Sequence, residues 1–142
     1  MEPTIIDFVS KNPIMVGILV ALVVLLVVTE IQIHTRKFNE ARPTEVVALI
    51  NRDNAVLIDI RSEKEFASGH VINAINIPIE GLGSELNKLG KYKDKPLVVC
   101  CRTGQTSLRA CKELKNSGFS IVHNLRGGVT AWERDGLPLV KA

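Results

Sequence analysis

The segment Leu97–Ala110 reads LVVCCRTGQTSLRA: an apolar run ends in two adjacent cysteines, then an arginine, a glycine among small polar residues, and a helix-like pattern. A cysteine becomes a nucleophile when its surroundings favour the thiolate. The two cysteines are expected to play separate roles. Cys100 falls inside the apolar run and reads as a small buried side chain. Cys101 is the first residue past that run, where the chain must turn toward a helix beginning near Gln105. The segment Cys101–Ser107 is suited to holding an anion. Gly104 permits a backbone curl in which successive N–H groups point inward. The following helix presents its N–H groups and positive dipole end to the same place, and Arg102 adds a full positive charge. Such surroundings lower a thiol's pKa and would equally stabilise a persulfide or a bound oxyanion. An inert loop cysteine is the plainer alternative.

Other chemistries fit less well. There is no C-x-x-C, and His34, His70 and His123 are scattered, so neither a metal nor another cofactor is expected. A Cys–His hydrolase would need a second supporting motif. The histidines read as structural, Cys111 falls on the apolar stripe of its helix, and Trp132 reads as core.

The elements that must position Cys101 follow from apolar periodicity. Helices are expected over Pro43–Asn51, from Ser62 (a capping box with Glu65) to Gly69, over Ser84–Leu89 stopped by Gly90, and over Gln105–Asn116 closed by Gly118. A last short helix follows the glycine pair in GGVTAWERDG. Short apolar runs at Ala55–Ile60, Ala74–Pro78, Pro96–Cys100 and Ser120–Leu125 read as buried strands. The alternation predicts an α/β fold, a mostly parallel sheet with helices on both faces. The site of such a sheet lies at the carboxyl ends of its strands, which groups Asp59, Arg61, Asn76 and the segment after Cys100 on one rim.

The 142 residues carry 18 Lys and Arg against 15 Asp and Glu, a net charge of +3, with 4% aromatics. A nucleic-acid-binding surface is not expected from so mild a balance. The mean hydropathy of +0.17 has a local source. Ile14–Val28 reads IMVGILVALVVLLVV, and the apolar character resumes at Ile31 and Ile33. A helix over residues 13–33 would have roughly the 20 residues that cross a bilayer core, with Asn12 as its N-cap and Pro13 at its first position. The N-terminal residues carry Glu2 and Asp7 against Lys11, and no A-x-A-like site follows, so a single-pass anchor is expected in place of a cleaved signal. Arg36, Lys37 and Arg42 follow the anchor, which puts the C-terminal side in the cytoplasm. Three cysteines without a disulfide pattern suit that reducing compartment.

Three stretches carry a resemblance to a known family. DIRSEKEFASGHVINAINIP (Asp59–Pro78), VVCCRTGQTS (Val98–Ser107) and LRGGVTAW (Leu125–Trp132) occur in the order seen in rhodanese-like sulfurtransferases, and residues from about Pro43 to Leu139 resemble a single such domain. The expected organisation is a tail over 1–12, a membrane helix over 13–33 and a linker over 34–42 that ends in an edge strand, all outside the resemblance, followed by the rhodanese domain that the resemblance implies over 43–142. It places the nucleophile at Cys101. The amides of Arg102, Thr103, Gly104, Gln105 and Thr106 would hold the anionic sulfur, and Arg102 would attract an anionic donor. Asp59, Arg61 and Ser107 are candidates for supporting the loop, the first two more simply as a salt-bridged pair.

The implied reaction moves sulfur from a donor, thiosulfate or a protein persulfide, through a Cys101 persulfide to an acceptor thiol or cyanide, without a cofactor. A phosphatase-like branch needs C-x5-R, but Ser107 stands six positions after Cys101 and Thr106 six after Cys100. Thr106 also stands where many members carry an arginine, so thiosulfate is expected to bind less well. The alternative is a membrane-anchored interaction or persulfide-relay module. The implied setting is a bacterial-type inner membrane, with the lipid bilayer as one partner.

Overall fold

The computed structural model describes residues 4–34 and 38–141, in two compact units, residues 1–36 and 37–142. Residues 1–3, 35–37 and 142 lie outside the described residues, and with them part of the expected linker and two of its cations, Arg36 and Lys37.

The first unit holds helices α1 (Ile5–Lys11) and α2 (Pro13–His34). The expected tail thus contains a helix, because Thr4 and Asp7 form a reciprocal capping box at its start. Asn12 closes that helix and does not cap the next with its side chain. Its side-chain amide donates to Phe8 O at 3.1 Å, while its own carbonyl accepts Val16 N–H at 3.1 Å. Pro13 has no N–H to lose, so α2 can start there. Residues Pro13–Gln32 form a span of 20 residues with mean hydropathy 2.9, none of it buried. At 1.5 Å per residue it is about 30 Å long, and it is apolar all round, so it is long and apolar enough to cross a membrane. The Thr29 hydroxyl is satisfied by Leu26 O at 2.8 Å.

The second unit is a five-stranded sheet: β1 (Asn39–Ala41), β2 (Val56–Asp59), β3 (Ile75–Asn76), β4 (Leu97–Cys100) and β5 (Val122–Leu125). The order is β1-β5-β4-β2-β3 and every pair is parallel. The end of the expected linker is therefore an edge strand. The helices are α3 (Pro43–Asp53), α4 (Glu63–Ser68), α5 (Leu82–Leu89), α6 (Thr106–Asn116) and α7 (Gly128–Arg134). One face of the sheet packs Ile58, Leu97 and Val99 against α5 and α6 through Leu82, Leu89, Ala110, Cys111 and Leu114. The other packs Leu57, Val98 and Leu125 against α3 and α7 through Val46, Val129 and Trp132. Strand alternation continues past β4: Cys100 belongs to the α3/α7 face and Cys101 to the α5/α6 face.

Some expected boundaries shift for local reasons. The strand expected over Ala74–Pro78 pairs only at Ile75 and Asn76, between a left-handed Asn73 (φ 63°) and Pro78, which has no N–H. α5 ends at Leu89 with Gly90 at its C-cap, as expected, but Gly90 keeps helical geometry (φ −55°, ψ −31°) and opens a 3-10 turn, Gly90–Tyr92. Only half of the Ser62 capping box forms. Ser62 Oγ accepts Glu65 N–H at 3.3 Å, but the Glu65 carboxylate turns to Arg102. His70 and Trp132 have structural surroundings. The His70 ring stacks on Phe66 with its Nδ1 2.8 Å from Phe66 O, and buried Trp132 donates Nε1–H to Pro138 O at 3.0 Å.

A buried ion pair ties the carboxyl end of β2 to the end of α4, and an asparagine amide ties it to β3. Arg61 reaches Asp59 Oδ2 at 2.7 Å, and the same nitrogen donates to Gly69 O at 2.7 Å. Asn76 donates to the carbonyls of Asp59 and Arg61, both at 3.0 Å. Asp59 is fully buried, so removing the arginine would strand a charge in the core. Arg61→Ala is expected to lower stability by about 3–5 kcal/mol in urea unfolding. A loss below about 1 kcal/mol, the range of exposed pairs, would show that the pair does not carry this role.

Candidate active site

The loop between β4 and α6 curls around the Cys101 sulfur. Gly104 N–H donates to Sγ at 3.1 Å and Ser107 N–H at 3.4 Å, and Ser107 Oγ lies 3.3 Å from it. These N–H groups can face inward because the loop's carbonyls are bonded outward. Cys101 O accepts from Val129 N at 2.9 Å, Arg102 O from Thr130 N at 3.0 Å, and Gly104 O from Asn124 Nδ2 at 3.1 Å. Val129 and Thr130 lie in the first turn of α7, whose N–H groups have no partner inside that helix. The helix after Gly127–Gly128 therefore clamps the loop from behind.

The clamp requires close backbone approach. Gly128 has φ +62°, and a Cβ there would lie 2.4 Å from Cys101 O and 2.5 Å from Arg102 O. Gly104 has φ +86°, and a Cβ there would come within 2.9 Å of Gly127 N. Only glycine meets both demands.

The three cysteines are all buried and unpaired in disulfides, yet their thiols differ. Burial pushes the Cys101 thiol up, but the Ser107 hydroxyl and the N–H groups of Ser107, Gly104 and Thr103 outweigh it and bring the pKa below its ordinary value. Burial pushes Cys100 well above that value, with Asp59 adding to the shift and Arg61 opposing it. Burial also pushes Cys111 up to about 12. Hydrogen bonds to the charged form thus separate Cys101 from its neighbours.

The side chains of Arg102, Thr103, Gln105 and Thr106 point to solvent, and Gly104 and Ser107 are buried. Arg102 is not drawn in toward the sulfur. Its guanidinium pairs with Glu65 of α4 at 2.9 Å and is 67% exposed. Asp59 and Arg61 stand on the same rim, bonded to each other and not to Cys101 Sγ. Arg61 and Arg102 line a cleft of about 320 Å³ with Thr130 and Glu133. Among the described residues, no group of three or more His, Cys, Asp or Glu is placed to hold a metal.

Sequence reasoning left two parts of the site without a role. Asn124 is a buried amide between His123 and Leu125 in a strand of the core sheet, and that placement was its only signal. The glycine pair was legible as a turn, but not as the contact that lets α7 reach the loop carbonyls.

The model of the rhodanese-like domain matches residues 42–135. The chain belongs to the rhodanese-like domain family. The Escherichia coli protein YibN, itself uncharacterized, is 34% identical over 138 residues, which cover 96% of each chain. An Allochromatium vinosum sulfurtransferase is 37% identical over 92 residues, 65% of this chain and 84% of that protein. The crystal structure of a rhodanese-related protein from Thermoplasma volcanium superposes with a TM-score of 0.67 at 28% identity, over 74% of this chain and 100% of that one. In this rhodanese-like domain the thiolate fraction should follow the donors around each sulfur. Iodoacetamide is expected to alkylate Cys101 first, with a rate that rises with pH and reaches half its maximum below pH 9.0. Cys111 is expected to stay unreacted until pH approaches about 12, or until the protein unfolds. Peptide mass mapping across pH checks the order; earlier labelling of Cys100 or Cys111 would contradict it.

Proposed function

We propose that this protein is a membrane-tethered sulfurtransferase whose nucleophile is Cys101. The observation that carries the reading is the convergence of Gly104 N–H, Ser107 N–H and Ser107 Oγ on a single buried sulfur. In the first step the Cys101 thiolate attacks the outer sulfur of a donor. The donor's S–S bond breaks, and its remaining part leaves with the electron pair, as sulfite when the donor is thiosulfate. Cys101 now carries Sγ–S⁻, and the added sulfur bears the charge that the loop N–H groups stabilise. In the second step an acceptor thiolate attacks that outer sulfur, the Sγ–S bond breaks, and the Cys101 thiolate returns. Sulfur and electrons balance without a metal or redox cofactor.

A protein persulfide is favoured over thiosulfate as donor by two side chains. Thr106 brings no charge to the loop, and the charge of Arg102 is compensated by Glu65. An exposed pair of this kind is worth about 0–1 kcal/mol, so an anion can compete for Arg102 but gains little from it.

Residues 13–33 serve in this reading as the anchor, 34–42 as the linker and 43–142 as the catalytic domain on the cytoplasmic side of a bacterial-type inner membrane. The 20-residue span of mean hydropathy 2.9 supports the anchor, and the cations that follow it support the orientation.

Incubation with a donor is expected to add one sulfur atom to the intact protein, mapped to Cys101, with faster loading from a protein persulfide than from thiosulfate. Cys101→Ser should cut transfer to a thiol or cyanide by about a thousandfold or more, and Cys100→Ala should retain it. Activity that survives the first change and disappears with the second would overturn the assignment. Failure to accept sulfur from either donor would favour an interaction module. After carbonate washing the full chain is expected in the membrane pellet and residues 38–142 in the supernatant. A full chain released by carbonate would remove the anchor from the reading.

A further inference from the structure

Asn124 is 1% exposed, lies beside Val99 of β4 in register, and is not used by the reaction above. Its side-chain orientation follows from its partners. The carbonyl of Gly104 can only accept, so the amide nitrogen must face it, and it does so at 3.1 Å. The amide oxygen must then face the Ser107 hydroxyl, and an oxygen of that kind only accepts. Ser107 therefore donates its one hydrogen to Asn124 Oδ1. What it presents to Cys101 Sγ, 3.3 Å away, is a lone pair. A neutral S–H can donate into that lone pair, and an ionised sulfur cannot.

The chain Cys101 S–H to Ser107 O–H to Asn124 Oδ1 is complete only while the sulfur keeps its proton. When the sulfur ionises, one of two things follows. The Ser107 hydrogen turns to the sulfur and leaves Asn124 Oδ1 without a donor in the core. Otherwise it stays on Asn124, and the sulfur keeps only its main-chain N–H donors. Either outcome costs a hydrogen bond. We propose that Asn124 is a positioning residue for Cys101: it holds the Ser107 hydroxyl hydrogen while the sulfur is protonated and gives it up as negative charge forms on the sulfur, so that Ser107 stabilises the thiolate less than an unrestrained hydroxyl would. The proposal rests on reading Cys101 as the nucleophile.

Cys111 of α6 shares the face of the sheet on which Cys101 lies, and Cys100 of β4 lies on the opposite face; burial pushes both thiols above their ordinary value. From α4, Glu65 engages Arg102 outside the loop, and α7 presents the main-chain N–H groups of Val129 and Thr130. The Cys100 and Cys111 thiols keep their protons over the range in which Cys101 ionises.

The experiment uses the full chain in detergent and follows iodoacetamide alkylation of Cys101 against pH by peptide mass mapping. The proteins are the wild type, Asn124→Leu, Ser107→Ala and the double variant. Asn124→Leu is expected to move the alkylation midpoint down by about one pH unit, the equivalent of one hydrogen bond. In the Ser107→Ala background the same substitution is expected to move it by nothing measurable. An upward shift, no shift, or an equal shift in both backgrounds overturns the proposal, since a merely structural effect of Asn124 would not require Ser107. Where Asn124→Leu does not fold, Asn124→Asp keeps the size and the accepting oxygen. It is expected to move the midpoint up, and a downward or absent shift overturns the proposal. Alkylation needs no sulfur donor, so a failed transfer assay would remove the proposed reaction while these midpoints still decide the role of Asn124.

Discussion

A loop can aim several N–H groups at one sulfur only if its carbonyls are bonded somewhere else. That constraint organises this domain. The carbonyls of Cys101 and Arg102 are taken by the first turn of α7, and that of Gly104 by Asn124. With those bonds made, the backbone between β4 and α6 has one way to face, and its donors meet at Sγ. A short helix that bonds the loop's carbonyls thus sets the direction of the dipoles around the Cys101 sulfur.

The rest of the fold can be read as support for that arrangement. The parallel sheet brings the ends of β4 and β5 side by side, so that a residue of β5 can bond the loop that leaves β4. Gly128 removes the side chain that would hold α7 away from the loop. The buried Asp59–Arg61 pair belongs to a neighbouring piece of the rim, where it ties the end of β2 to the end of α4. Polar groups are concentrated at this rim, and among the described residues no buried side-chain nitrogen or oxygen lacks a partner.

Charge and hydrogen bonding are separated in this site. Arg102, the one cation in the loop, faces solvent and an acidic partner. The pKa of Cys101 is lowered by uncharged donors against the opposing effect of burial. Main-chain dipoles keep their orientation whatever the pH or salt, whereas an exposed arginine is screened.

The alternation of short apolar runs with amphipathic helices made the parallel α/β architecture legible, and the three motifs named its family. The segment over residues 13–33 was legible as a membrane-length helix from composition alone. The separate settings of Cys100 and Cys101 could also be read from the sequence, because side chains alternate along a strand wherever it is placed. Local patterns reach only that far. The direction of Arg102, the half-formed capping box of Ser62, and the contacts of Asn124 and Gly128 with the loop were decided by the tertiary structure. Each joins residues between 20 and 37 positions apart, or follows from such a contact. No spacing rule links Glu65 to Arg102, or Asn124 to Gly104. Only the packing of α4 and β5 against the loop brings those partners within hydrogen-bond reach.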